Sequence, residues 1–125
     1  MGERSAAEAV VAAFIAAVER RDLEAALELV APDCEYDNVP IGPVHGPDSI
    51  RKVLAPIVER TDEIAWPVSR SASAGAVVFN ERLDRFRSGD RWVELPVTGV
   101  WEVHDGRITL WRDYFDLETS RRQTG

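Results

Sequence analysis

The sequence predicts an α+β domain: three N-terminal helices packed on a curved, mostly antiparallel mixed sheet, with a pocket between the two layers. Two observations carry this. Apolar residues recur at helical spacing in the first half, but alternate with polar ones from about Asp62 onward. The second half is also cut by tight-turn signals: Ser73-Ala74-Gly75, Ser88-Gly89-Asp90 and Asp105-Gly106. Short turns of this kind join antiparallel neighbours. Helices segregated from strands along the chain define the α+β class, and a sheet long enough to curl round its helix layer leaves a pocket.

Taken in order, Ser5-Ala-Ala-Glu8 is a capping-box pattern. Val10, Phe14, Ala17 and Val18 follow as one apolar stripe, and Arg20-Arg21 suit the negative end of that helix. Asp22 can cap a second helix, Leu23 to Val30, which Pro32 should stop. Cys34 to Val39 reads as a short extended segment. Pro40, Gly42, Pro43 and Gly46 make a loop, and Pro47-Asp48 open a third helix over roughly 47–58, ended or kinked by Pro56. The strands are then Glu63 to Ser71, with Pro67 marking an edge or bulge, Val77 to Arg87, Arg91 to Val103, and Arg107 to Asp116. In the third, Val93, Leu95, Val97, Trp101 and Val103 share the core face.

At 125 residues the chain is expected to form a single domain, 1–125. A net charge of -7 speaks against a nucleic-acid surface. The apolar run at 6–18 is broken by Glu8, has no basic leader or cleavage site, and is too short for a bilayer. One cysteine, Cys34, excludes an internal disulfide and fits a reducing cytoplasm. A half-buried lone cysteine is expected to pack rather than react. His45, in a Gly/Pro loop, and His104, beside a turn, form no metal pattern. Trp66, Trp92, Trp101 and Trp111 read as core or interface residues.

The stretch Phe79 to Phe86, FNERLDRF, breaks the apolar logic. Arg82 and Asp84 point to one face of their strand, together with Val78 and Phe86. Asp113 repeats the pattern, sharing parity with Trp111 and Phe115. Tyr36 and Asn38 form a third polar pair. Buried charges need partners, so the simplest arrangement brings Arg82, Asp84 and Asp113 together. Two carboxylates beside one guanidinium in an apolar pocket cannot easily both ionise. One can then hold a proton for a leaving oxygen while the other takes a proton from water. A strained cyclic ether suits such a pair, with Tyr36 and Asn38 placed to hold the water.

NERLDRF, WRDYFD and YDNVPIG, in that order along essentially the whole chain, resemble the limonene-1,2-epoxide hydrolase family within the nuclear-transport-factor-2-like, or SnoaL-like, cone folds. The resemblance implies a cone-shaped pocket and one-step addition of water to an epoxide, giving a vicinal diol without a covalent ester. It implies Asp113 as base, Asp84 as acid, Arg82 as the bridge, and Tyr36 and Asn38 as water-positioning groups. It implies no cofactor, no metal, an apolar epoxide and water as partners, and a homodimer. Phe86, Leu95, Val97 and Phe115 are expected to wall the pocket, with Phe14 and Val18 closing it from the helix. Two other readings stand beside this one: a ketosteroid-isomerase-like or cyclase-like enzyme on the same cone, or a non-catalytic ligand-binding or dimerisation module.

Overall fold

The computed structural model describes residues 5–124 of the 125-residue chain. Helix α1 (Ala6–Glu19) begins where the Ser5 hydroxyl accepts the Glu8 backbone N–H at 3.0 Å. The Glu8 carboxylate accepts from Ser71 and Ser73, which ties the helix start to the sheet. Helix α2 (Leu23–Leu27) is capped by Asp22, whose carboxylate accepts from the Ala25 N–H. It is shorter than the sequence pattern suggests. The chain is already extended at Val30, so strand β1 (Val30–Asn38) takes in Pro32, inside the stretch where its pairing register shifts. Pro32 sits within a strand rather than stopping a helix, because that irregular stretch asks no ladder bond of it.

The Gly/Pro loop folds back as β2 (Gly42–His45), antiparallel to β1. Helix α3 (Pro47–Arg60) starts with proline in its first turn and runs through Pro56 for one further turn. Pro56 is exposed, so its ring and missing N–H disturb only the solvent side of the helix. Strands β3 (Glu63–Ala65) and β4 (Val68–Ala74) are one edge strand interrupted at Trp66-Pro67, and both pair with β5 (Val77–Ser88). Strand β6 (Arg91–His104) and β7 (Arg107–Tyr114) follow through the two expected turns, with Gly89 at φ 60°, Asp105 at 52° and Gly106 at 76°.

The sheet order is β2-β1-β7-β6-β5-β3, with β4 extending the β3 edge. Among the described residues every pairing is antiparallel except β1 with β7. The α+β arrangement on a mostly antiparallel, mixed sheet is thus as expected, but with seven strands and four helices among the described residues. The additional helix, α4 (Leu117–Thr124), ends the last strand at Tyr114. Its start is fixed by Asp116, whose carboxylate accepts both the backbone N–H and the hydroxyl of Thr119. What looks like a strand-end acid is a helix cap.

Helix α1 lies on the inner face of the sheet, burying Val11, Phe14, Ile15 and Val18. Phe14 meets the rings of Trp101 and Trp111 edge-on, at centroid distances of 5.7 and 5.0 Å. The core therefore runs straight into the row of inward side chains that carries the charges. Among the described residues no helix is long and apolar enough to cross a membrane.

Candidate active site

Register alone places the polar residues side by side. Tyr36 pairs with Trp111 and Asn38 with Asp113 across β1 and β7. Gly99 pairs with Asp113 across β6 and β7, and with Asn80 across β5 and β6. One inward row therefore reads Asn38, Asp113, Gly99, Asn80. The next reads Tyr36, Trp111, Trp101, Val78. Two residues along β5 from Asn80, Arg82 points into the same space.

Arg82 is buried to 3 % exposure, with Asp84 at 5 % and Asp113 at 4 %. Its Nε donates to Asp84 Oδ1 at 2.9 Å and its Nη2 to Asp84 Oδ2 at 3.0 Å, a bidentate pair. The same Nη2 donates to Asp113 Oδ2 at 2.9 Å. Nη1 donates to Asn80 Oδ1 at 3.1 Å. Both carboxylates thus meet at a single nitrogen. The second oxygen of Asp113 accepts the indole N–H of Trp111 at 2.9 Å, and Asn80 also accepts the indole N–H of Trp101 at 3.1 Å. Trp101 stacks on Trp111, and Trp111 on Tyr36, at 5.0 and 3.9 Å between centroids.

Burial dominates the ionisation of the group. It lifts Asp113 to about 6, Arg82 working against the rise and Asp84 adding to it. Burial raises Asp84 too, opposed by the charge and hydrogen bonds of Arg82. Burial alone would lower Arg82, but the two carboxylates outweigh it and hold the guanidinium charged. The Tyr36 phenol is pushed well up by burial and by Asp113, with the Asn38 side chain acting the other way, so it stays neutral and able to donate. The assembly can therefore carry one proton between two carboxyls close to neutral pH.

Of the residues singled out in the sequence, Arg82, Asp84 and Asp113 form this one cluster, and Tyr36 and Asn38 sit next to it on β1. Leu95 and Val97 pair directly with Asp84 and Arg82. Phe86 is half-buried against Trp66. Phe14 and Val18 are buried in the core below, and Phe115 is half-buried in the link to α4. Burial pushes the Cys34 thiol up to about 12, so it packs and does not react. No group of metal-ligating side chains forms among the described residues.

Sequence reasoning missed Asn80, Trp101 and Trp111 as partners of the charges. It also missed Gly99. A Cβ there would lie 2.5 Å from Arg82 Nη1 and 2.8 Å from Asn80 Oδ1. Arg82 reaches from β5 to a carboxylate on β7, and the intervening strand must leave it room. The signal was present: an isolated glycine inside a strand marks a close approach, and Asn80 shares the parity of Arg82.

The limonene-1,2-epoxide hydrolase catalytic domain matches residues 5–124. The chain belongs to this family. The epoxide hydrolase EphG of Mycobacterium tuberculosis is 36% identical over 107 residues, 86% of this chain and 71% of that protein. A solved structure of a limonene-epoxide-hydrolase-like epoxide hydrolase from the same organism superposes with a TM-score of 0.84 at 32% identity, covering 98% of this chain and 95% of that one. A protein described as a SnoaL-like polyketide cyclase from Shewanella putrefaciens reaches a TM-score of 0.85 at 16% identity, over 98% of this chain and 88% of that one, and shares the fold alone. The α+β cone expected from the sequence is thus the fold of the limonene-1,2-epoxide hydrolase family and of its SnoaL-like neighbours.

Gly99→Ala should push Arg82 off Asn80, costing about 1–3 kcal/mol as overpacking does, and should lower turnover at least ten-fold, by thermal melting and kinetics. Asp113 gives a second expectation. Its raised pKa means the folded state holds the proton more tightly than the unfolded chain. Stability from this position is present below 3.8, its ordinary value, and is lost as pH rises through about 6. Asp113→Asn cannot ionise, so relative to wild type it should gain stability across that window and hold the gain above it, as measured by denaturant midpoints against pH.

Proposed function

We propose that this epoxide hydrolase adds water to an apolar epoxide, of limonene, cyclic or aryl type, and releases a vicinal diol in one concerted step. The observation that carries the reading is the meeting of two buried carboxylates at Nη2 of Arg82. Asp113, ionised near neutral pH, takes a proton from a water held by Tyr36 and Asn38. The water oxygen forms a bond to a ring carbon and the strained C–O bond breaks. The departing oxygen takes the proton of Asp84, so no free alkoxide is released. One proton has entered the cluster from water and one has left to the product. Moving the proton from Asp113 back to Asp84, both bonded to Arg82, resets the site. This chemistry asks only for acid, base and water.

An isomerase or cyclase on the same cone would use one carboxylate base and neutral donors at an enolate oxygen. The second carboxylate, bridged by a guanidinium, supports hydrolysis instead. A purely binding module would have no use for a buried cluster with a net negative charge. The single cysteine supports a reducing, cytoplasmic setting.

The outer face of the sheet supports a homodimer. Phe79 is 46% exposed and Tyr114 47% exposed, and Val77 and Leu83 share that face half-buried. A groove of about 420 Å³ lined by Val68, Leu83, Pro96, Thr98 and Tyr114 lies there, open to a second copy.

Asp84→Asn and Asp113→Asn should each remove most turnover while the chain stays folded, because an amide oxygen still accepts from Arg82. The wild-type rate should be bell-shaped in pH, its limbs belonging to the coupled pair. A single turnover in heavy-oxygen water should label the diol at once; unlabelled diol from the first turnover would show an ester on Asp113 and overturn direct attack. Sedimentation at micromolar concentration should give a dimer, and Phe79→Glu should shift it to monomer.

A further inference from the structure

The charged atoms of the cluster have hydrogen-bond partners inside the protein. Among the described residues, the Trp66 indole nitrogen is the buried side-chain polar atom that has none. Trp66 is 3 % exposed. Leaving such a donor unmatched is unfavourable, and native structures rarely do so without a use.

Its placement belongs to the site. Trp66 occupies the break between β3 and β4, where its backbone N–H donates to the Glu19 carboxylate at 2.8 Å and the Pro67 carbonyl accepts from Leu83. Held from both sides, the residue keeps the inward parity of Ile64. Its ring packs against Phe86 and Trp111, both at 6.1 Å, and its face looks onto the Arg82 guanidinium, 5.5 Å away. The indole N–H lies in the plane of the ring, so it does not point at the Arg82 guanidinium that its face covers. No protein acceptor meets it.

Resting on the epoxide-hydrolase reading above, we propose that Trp66 is a specificity-determining residue whose N–H donates to a second substrate oxygen, so the preferred substrates are epoxides that carry a carbonyl or hydroxyl oxygen near the ring rather than plain hydrocarbon epoxides. A buried donor with no protein partner discriminates strongly in this way, because a substrate lacking the acceptor leaves it unmatched.

The test pairs cyclohexene oxide with its keto and hydroxy derivatives. Wild type should favour at least one oxygenated member by about ten-fold in kcat/KM. Trp66→Phe keeps the ring and loses the N–H. It should abolish that preference, lowering kcat/KM on the favoured oxygenated substrate about ten-fold more than on cyclohexene oxide. An equal loss on both substrates, or no preference in wild type, would overturn the proposal. A second readout needs no turnover. In the nitrogen-15 spectrum of the indole groups, cyclohexanone should shift one resonance downfield, the one absent from Trp66→Phe, and methylenecyclohexane should not. Should the variant fail to fold, the wild-type spectra decide, and the lack of any ketone-selective indole shift overturns the idea. Diol never forming from any epoxide, with the ketone-selective shift intact, would refute the hydrolase reading and leave the donor's role standing.

Discussion

Arg82 holds a full positive charge inside the protein, and the surrounding architecture answers to it. Withdrawing a guanidinium from water is expensive unless every donor finds a matched acceptor. Asp84 takes two of its bonds, Asp113 one and Asn80 one. Each acceptor is on a different strand position, so the bonds hold only if β5, β6 and β7 keep one register. The two carboxylates overcompensate the single cation; burial lifts both of their pKa values, and for Asp113 the neighbouring Asp84 adds to the rise. A purely stabilising ion pair would have stopped at one aspartate. The surplus negative charge is a stability penalty.

Aromatic rings do the work that water does around exposed charge. Trp111 and Trp101 donate to Asp113 and Asn80 with their edges while their faces stack into a column with Tyr36. Phe14 from α1 braces that column from below. Indoles suit this task because they are large, apolar and carry one directed donor. The core and the charged cluster are therefore a single packed body.

Much of this was legible in the residues. Strand parity put Arg82 with Asp84 and Tyr36 with Asn38, and the Asp105-Gly106 turn fixed the β6–β7 pairing. The strand β2 was not visible, because Gly42-Pro43-Val44-His45 has loop composition and becomes a strand only by pairing with β1. Helix α4 was hidden for a similar reason: Leu117–Thr124 has little apolar content, buries no residue, and rests on the Asp116 cap and contacts with β6 such as Gln123 with Glu94. The roles of Gly99, Asn80 and the two tryptophans depend on which residues face each other across strands, a property of the assembled sheet. Local patterns report the faces of an element. They do not report its neighbours.

The parallel pairing of β1 with β7 has a consequence for how the chain reaches this state. β1 lies near the start of the sequence and its partner β7 near the end, so their contact spans most of the chain. Contacts of such long sequence separation form late, after loop-closure entropy has been overcome. During synthesis β1 emerges with β2 along one edge and nothing along the other until Arg107–Tyr114 leaves the ribosome. Tyr36 and Asn38 travel on that unpaired strand, whereas Arg82 and Asp84 sit in the local β5–β6 hairpin, which can close on its own. The half of the site on β1 and the charge-holding half on β5 are thus built at different times, and the nascent chain carries an open sheet edge, a surface prone to mispairing, until β7 arrives.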